Sequence, residues 1–216
     1  MTKKITALTP QVKNKERVNV YLNDKFAFGL AAIIAARLKV GQALSDEEIA
    51  RLRALDEVEE AYNKTLNYLS YRPRSRAELE RYLRDKRVSD NARAQVLERL
   101  ARAQLVNDAE FAQYWVENRE HFAPRSKRAL RAELRQKGLS DEDAQTALSE
   151  VDEEHSAYEA GRKRAARMNA LDRETFYRRL SGFLQRRGFG YDVVKSVVTR
   201  LWKEFGAKDS ELDFEQ

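Results

Sequence analysis

Arg125-Ser126-Lys127-Arg128-Ala129-Leu130-Arg131-Ala132-Glu133-Leu134-Arg135-Gln136-Lys137-Gly138-Leu139-Ser140 reads as one short basic helix with a defined start and stop. Ser126 is placed to cap the free N–H groups of the first turn. Leu130 and Leu134, four apart, put an apolar seam on one face, and Gly138 can end the helix in the left-handed conformation. At about 100° per residue, Arg128, Arg131 and Arg135 share one sector far around the helix from that seam. One face therefore seeks a core, and the other carries cations that are either simply solvated or meet an anionic partner.

The block recurs. Leu79, Leu83, Lys86, Val88 and Ser89 reappear 51 residues later as Leu130, Leu134, Lys137, Leu139 and Ser140. A further shift of 50 carries Leu130, Leu134, Lys137, Gly138 and Leu139 onto Leu180, Leu184, Arg187, Gly188 and Phe189. The following segment repeats as well, with Val96, Leu97 and Leu100 becoming Ala147, Leu148 and Val151, then Val197, Val198 and Leu201. A more aromatic helix precedes each block, at Tyr62 to Ser70, Glu110 to Arg119 and about Ser156 to Met168. A three-helix unit of roughly 50 residues buries its own apolar faces poorly, so stacked copies are the physical remedy. The expected fold is mainly α, an elongated curved array of three tandem three-helix repeats over residues 58–107, 108–152 and 153–206.

Residues 1–57 differ. Lys4 to Thr9 and Val18 to Leu22 carry strand-like alternation, and Asn23-Asp24 is turn chemistry leading into Phe26-Ala27-Phe28-Gly29, which predicts a small antiparallel sheet. An alanine-rich helix is expected from about Leu30 to Leu38, followed by a link through Gln42 to Leu44. Ser45-Asp46-Glu47-Glu48 is a capping box opening a helix expected to run to about Leu55. Residues 207–216, with Asp209, Glu211, Asp213 and Glu215, form an acidic tail expected to be frayed and able to compete for a basic face.

The 41 Lys and Arg against 35 Asp and Glu leave a net charge of +6, so any anion-seeking surface must come from local segregation. Segregation is present. Arg125 to Lys137 holds six bases and only Glu133, although residues 108–152 are acidic overall with 7 bases and 10 acids. Arg72 to Arg87 holds seven bases against three acids, and Arg173 to Arg187 holds five against Glu174. The candidate partner-binding residues are Arg74, Arg76, Arg84 and Lys86 in the first copy and Arg125, Lys127, Arg128, Arg131, Arg135 and Lys137 in the second. Arg178, Arg186 and Arg187 complete them in the third. Arginine favours bidentate contact with carboxylate or phosphate, whereas lysine acts as a point charge.

No cysteine is present, which excludes thiolate chemistry and disulfides and suits a reducing cytoplasm. His121 and His155 lack zinc-ligand or triad spacing and are expected to be solvated or structural, and no phosphate-loop or dinucleotide pattern occurs. The sequence holds no run of about 18 apolar residues and no signal-peptide pattern. The expectation is a monomeric cytoplasmic protein with no cofactor, no metal, no membrane partner and no catalytic site.

With the repeats in view, the chain resembles the bacterial regulatory protein RecX family. The matching blocks are Tyr71-Arg72-Pro73-Arg74-Ser75 with Glu78-Leu79 and Tyr82-Leu83, then Leu105-Val106-Asn107-Asp108 with Phe111-Ala112. They continue through Pro124-Arg125-Ser126-Lys127 with Glu133-Leu134 and Lys137-Gly138, and Arg187-Gly188-Phe189, while Val18 to Gly29 is similar to the N-terminal segment of longer members. Two departures stand out: Arg87 lies where the other copies have Gly138 and Gly188, and the third copy lacks the Arg-Ser start. The resemblance implies a non-enzymatic negative regulator of the recombinase RecA. Such a protein binds along the groove of the RecA nucleoprotein filament, inhibits ATP hydrolysis, strand exchange and coprotease activity, and favours filament disassembly. Two other readings of the basic helices remain: a module binding single- or double-stranded DNA weakly and without sequence preference, and a purely structural scaffold.

Overall fold

The computed structural model describes residues 2–206; the expected acidic tail at 207–216 lies outside them. The chain begins with strand β1 (Lys3–Pro10), which pairs antiparallel with β2 (Arg17–Leu22), and β2 pairs antiparallel with β3 (Lys25–Ala31). Asn23 and Asp24 make the turn between β2 and β3 with φ of 48° and 63°, the left-handed pair that a two-residue hairpin turn of matching twist requires. A two-residue strand, β4 (Ala43–Leu44), adds to the free edge of β1, giving the order β3-β2-β1-β4 where the sequence suggested only a link. Ile5, Val20, Leu22, Leu30 and Leu44 fill the interior of this domain.

Two helix expectations are corrected here. The helix expected over Leu30 to Leu38 is a single turn, α1 (Ala32–Ala35). The reason is that β2 pairs with Leu30 and Ala31, and the N–H of Ala31 donates to the Asp56 carboxylate at 2.7 Å, so the chain stays extended to that point. The capping box forms as expected, with Ser45 and Glu48 exchanging bonds of 2.7 and 3.1 Å, but its helix does not stop near Leu55. It is α2 (Asp46–Leu69), continuous through the expected division at 57/58. No Gly or Pro interrupts it, and Asp56 and Glu57 are anchored: Asp56 also holds Arg17 at 2.7 Å, while Glu57 accepts from the backbone N–H and hydroxyl of Ser89 at 2.7 and 2.8 Å.

The C-terminal half of α2 is the first helix of the first repeat, completed by α3 (Arg76–Asp85) and α4 (Asp90–Arg102). The second repeat is α5 (Asp108–Phe122), α6 (Lys127–Gln136) and α7 (Asp141–Leu148). The third is α8 (Glu153–Ala165), α9 (Arg173–Arg186) and α10 (Tyr191–Phe205). The repeated leucines Leu79/Leu83, Leu130/Leu134 and Leu180/Leu184 are all fully buried. Each middle helix ends in the same double-bonded cap. Val88, Leu139 and Phe189 donate back to the carbonyls of Leu83, Leu134 and Leu184, across Arg87, Gly138 and Gly188, which all have positive φ. In the third copy, helix α9 starts a turn earlier, on the Asp172 cap, and buried Phe176 takes the place of the Ser75 and Ser126 caps.

By their internal contacts the described residues divide into two compact units, which part between Val106 and Asn107. Within the second unit, repeats two and three interlock. The Ser126 N–H donates to the Arg187 carbonyl at 3.2 Å, and the Arg187 guanidinium donates to the Pro124 carbonyl at 2.9 Å.

Candidate anion-binding surface

The thirteen candidate cations fall into two groups. Arg76, Arg84, Lys86, Arg128, Arg131, Arg135, Arg178 and Arg186 are exposed on the middle helices α3, α6 and α9. On α6, Arg128, Arg131 and Arg135 lie away from the buried Leu130 and Leu134, as the helical period requires. They are lightly tethered. Arg128 reaches the Gly188 carbonyl at 3.4 Å, Arg131 donates to the side-chain oxygen of Gln145, and Arg135 pairs with Asp141 at 2.9 Å. The Arg135 hydrogen bond, and then its charge, hold the Asp141 carboxyl below its usual range, and the same contact raises Arg135. Exposed pairs of this kind contribute little to stability, so these guanidinium groups can exchange internal partners for external anions.

The second group, Arg74, Arg125, Lys127, Lys137 and Arg187, is half-buried, and four of the five meet internal partners. Arg125 binds Glu133 at 3.0 Å, and the other oxygen of Glu133 takes Arg119 at 2.7 Å and the Trp115 indole N–H at 2.8 Å. Glu133, the one acid in the quoted helix, is thus the acceptor around which the repeat's aromatic helix and basic helix are joined. In the first repeat the same two positions are Tyr68 and Tyr82, stacked with centroids 4.2 Å apart and 7° between planes, and Arg74 lies 3.8 Å over Tyr68. The Arg74 Nε is buried with no hydrogen-bond partner. In the third repeat the position of Glu133 is Phe183, flanked by Arg164 and Arg187 at 4.8 and 4.7 Å from its centroid. One position, then, is a stacked ring, a carboxylate or a ring between cations, and it engages arginines directly in the second and third repeats and Lys86 in the first. Sequence spacing marks these arginines as repeat-equivalent but does not reveal that their partners are internal.

A feature outside the sequence candidates lies within the second unit. A cleft of approximately 1030 Å³ opens between the end of α5, α8 and the C-terminal half of α9. It is lined by Arg162, Lys163, Arg164, Arg167, Arg179 and Arg187 against Glu117, Glu120 and Glu159, and both histidines, expected to be bland, lie on its wall. Counting bases on the middle helices alone missed it, because most of its cations sit on or just beyond the first helix of the third repeat. No helix among the described residues is long and apolar enough to cross a membrane.

Comparison with known proteins accounts for this architecture segment by segment. Residues 3–45 match the regulatory protein RecX N-terminal domain, and residues 61–100, 107–148 and 152–198 match the first, second and third three-helix domains of RecX. The regulatory protein RecX of Bacillus subtilis is 34% identical over 202 residues, spanning 91% of this chain and 76% of that protein. That of Amycolatopsis mediterranei is 41% identical over 162 residues, spanning 72% and 93%. A crystal structure of regulatory protein RecX superposes with a TM-score of 0.70 at 26% identity, over 90% of this chain and 98% of that one. RecX from Lactobacillus salivarius gives 0.58 at 25% identity, over 68% and 97%. With a strand-built N-terminal domain, three consecutive three-helix domains and relatives matched along most of their length, the chain belongs to the RecX family of regulatory proteins.

Proposed function

We propose that the protein is a negative regulator of RecA that acts by binding, without chemistry of its own, in the groove of the RecA-DNA filament. There it would inhibit ATP hydrolysis, strand exchange and coprotease activity and promote filament disassembly, as a cytoplasmic monomer serving recombination and DNA repair. The observation that carries this reading is the placement of Arg128, Arg131 and Arg135, exposed together in one sector of α6 that lies about a third of a turn around the helix from its buried leucines. Exposed Arg76 and Arg84 on α3, Lys86 at its C-terminal cap, and Arg178 and Arg186 on α9 belong to the middle helices of the other repeats. The modules in this reading are residues 58–107, 108–152 and 153–206, with α2 shared between the N-terminal domain and the first of them.

The test is RecA ATPase on single-stranded DNA in the presence of wild-type protein or of the Arg128→Glu/Arg131→Glu/Arg135→Glu variant. Inhibition is expected to be lost in the variant while its thermal unfolding is unchanged; full inhibition by a folded variant removes this face from the mechanism. Pull-down on preformed RecA filaments and on naked single-stranded DNA at matched salt separates the alternative. A protein that simply binds DNA would be retained by both, with affinity falling steeply as salt rises.

A further inference from the structure

The cleft in the second unit combines two features that call for one kind of ligand. Arg164, Arg167, Arg179 and Arg187 all line it, and among the described residues none of the four forms an ion pair with a carboxylate. The acids of the wall do not neutralise it. Glu159 is engaged by Arg162 at 3.5 Å and Glu120 accepts from the Ser156 hydroxyl at 3.0 Å, so six cations face three carboxylates. Desolvation, and then the charge of Arg125, lower the Arg187 pKa, which marks a guanidinium deprived of water and set against a like charge. Such a group gains from an incoming anion.

The second feature is Phe122, which lines the same cleft yet is 74% exposed, with the His121 ring perpendicular to it at 4.5 Å between centroids. An exposed phenyl ring on the wall of a cleft that also carries clustered guanidinium groups offers stacking to a planar group whose other end is a polyanion. A run of carboxylates would use the cations but leave the ring idle, whereas a nucleotide carries a planar base and a polyanion in one small molecule, and the cleft is of the size that holds a small ligand.

We propose that this cleft binds a nucleoside polyphosphate, with the phosphates on Arg164, Arg167, Arg179 and Arg187 and the base against Phe122. The site is independent of the α6 face assigned above to the filament, since it is built mainly from α8, the segment after it and α9.

Titration calorimetry of the full chain with ATP, with inorganic tripolyphosphate and with an oligo-dT strand tests this. Wild type is expected to bind ATP more tightly than tripolyphosphate. Arg167→Glu/Arg179→Glu should weaken both by about ten-fold or more, since charge-assisted contacts to phosphate are lost. Phe122→Ala should bring ATP down to the level of tripolyphosphate and leave tripolyphosphate unchanged. Arg128→Glu/Arg131→Glu, on α6, should change neither. Should the charge reversal unfold the chain in a thermal melt, Arg167→Gln/Arg179→Gln carries the same expectation with a smaller loss. Absence of ATP binding by the wild type, equal binding by the cleft variants, or loss of ATP binding only in the α6 variant would each overturn the proposal. So would retention of oligo-dT by a protein that holds neither ATP nor tripolyphosphate.

Discussion

Arg87 is the residue at which the three copies of the repeat disagree most plainly with backbone chemistry. It ends α3 with φ of 60°, where Gly138 and Gly188 end the equivalent helices at 82° and 94°. Only glycine enters this region without a clash between Cβ and backbone, and an L-residue there costs roughly 1–2 kcal/mol. The bonds around Arg87 nevertheless match those around its glycine counterparts: its own N–H reaches the Arg84 carbonyl at 2.8 Å and Val88 reaches Leu83 at 3.1 Å. Replacement by glycine keeps those bonds and removes the clash, against a greater loss of chain entropy on folding. Arg87→Gly is therefore expected to raise stability by about 1 kcal/mol, read as a higher urea midpoint at unchanged slope. Glu133 is the opposite case, a half-buried carboxylate holding two guanidiniums and an indole. Glu133→Ala removes the acceptor shared by all three donors, of which Arg125 and Arg119 can turn to water, and should cost about 1–2 kcal/mol, seen in the same measurement.

Among the elements, α9 and α6 show how one repeat secures the next inside the second unit. The left-handed Gly188 that ends α9 lies directly against the start of α6: a Cβ there would sit 2.5 Å from the Ser126 hydroxyl oxygen and 3.0 Å from the Ala129 methyl. Ser126 is fully buried and already serves as the α6 cap, so it has no room to retreat. Gly188→Ala adds backbone strain to this overlap and is expected to destabilise the second unit by about 2–3 kcal/mol, measured by calorimetric unfolding. The start of α9 gives a pH signature instead. The Asp172 carboxylate accepts the Thr175 N–H at 2.9 Å, and this bond holds its pKa below the ordinary carboxylate range. Because the folded pKa is the lower one, the contribution is fully present above the unfolded value and is lost as pH falls through the folded value. Asp172→Asn keeps a capping oxygen without the charge. Melting temperature should therefore fall less steeply in the variant than in the wild type over that acid window.

At the scale of the whole molecule, two compact units share one repeated design, and the design was legible because its cause is periodic. Buried leucines recurring at 51 and 50 residues, serine caps and left-handed helix ends are local requirements, each met by residues within a few positions of one another. They determine the three tandem three-helix domains, the strand pair around Asn23-Asp24 and the sector that holds Arg128, Arg131 and Arg135. What could not be read locally depends on partners far along the chain. The strand extension to Ala31 and the unbroken α2 follow from Asp56, whose carboxylate binds the Ala31 N–H and Arg17, 25 and 39 residues away. Whether a basic side chain is available follows from what folding brings beside it, which turned Arg125 inward to Glu133 while leaving Arg128 exposed three residues later. The cleft around Arg164, Arg167 and Arg179 exists only because the end of α5 in the second repeat lies beside α8 and α9 of the third. The sequence by itself determined helices, caps and repeats, since those rest on spacings of three to five residues. Which of the remaining cations turn inward, as Arg125 and Arg187 do, was decided by tertiary structure, because burial and pairing depend on neighbours that only the folded chain supplies.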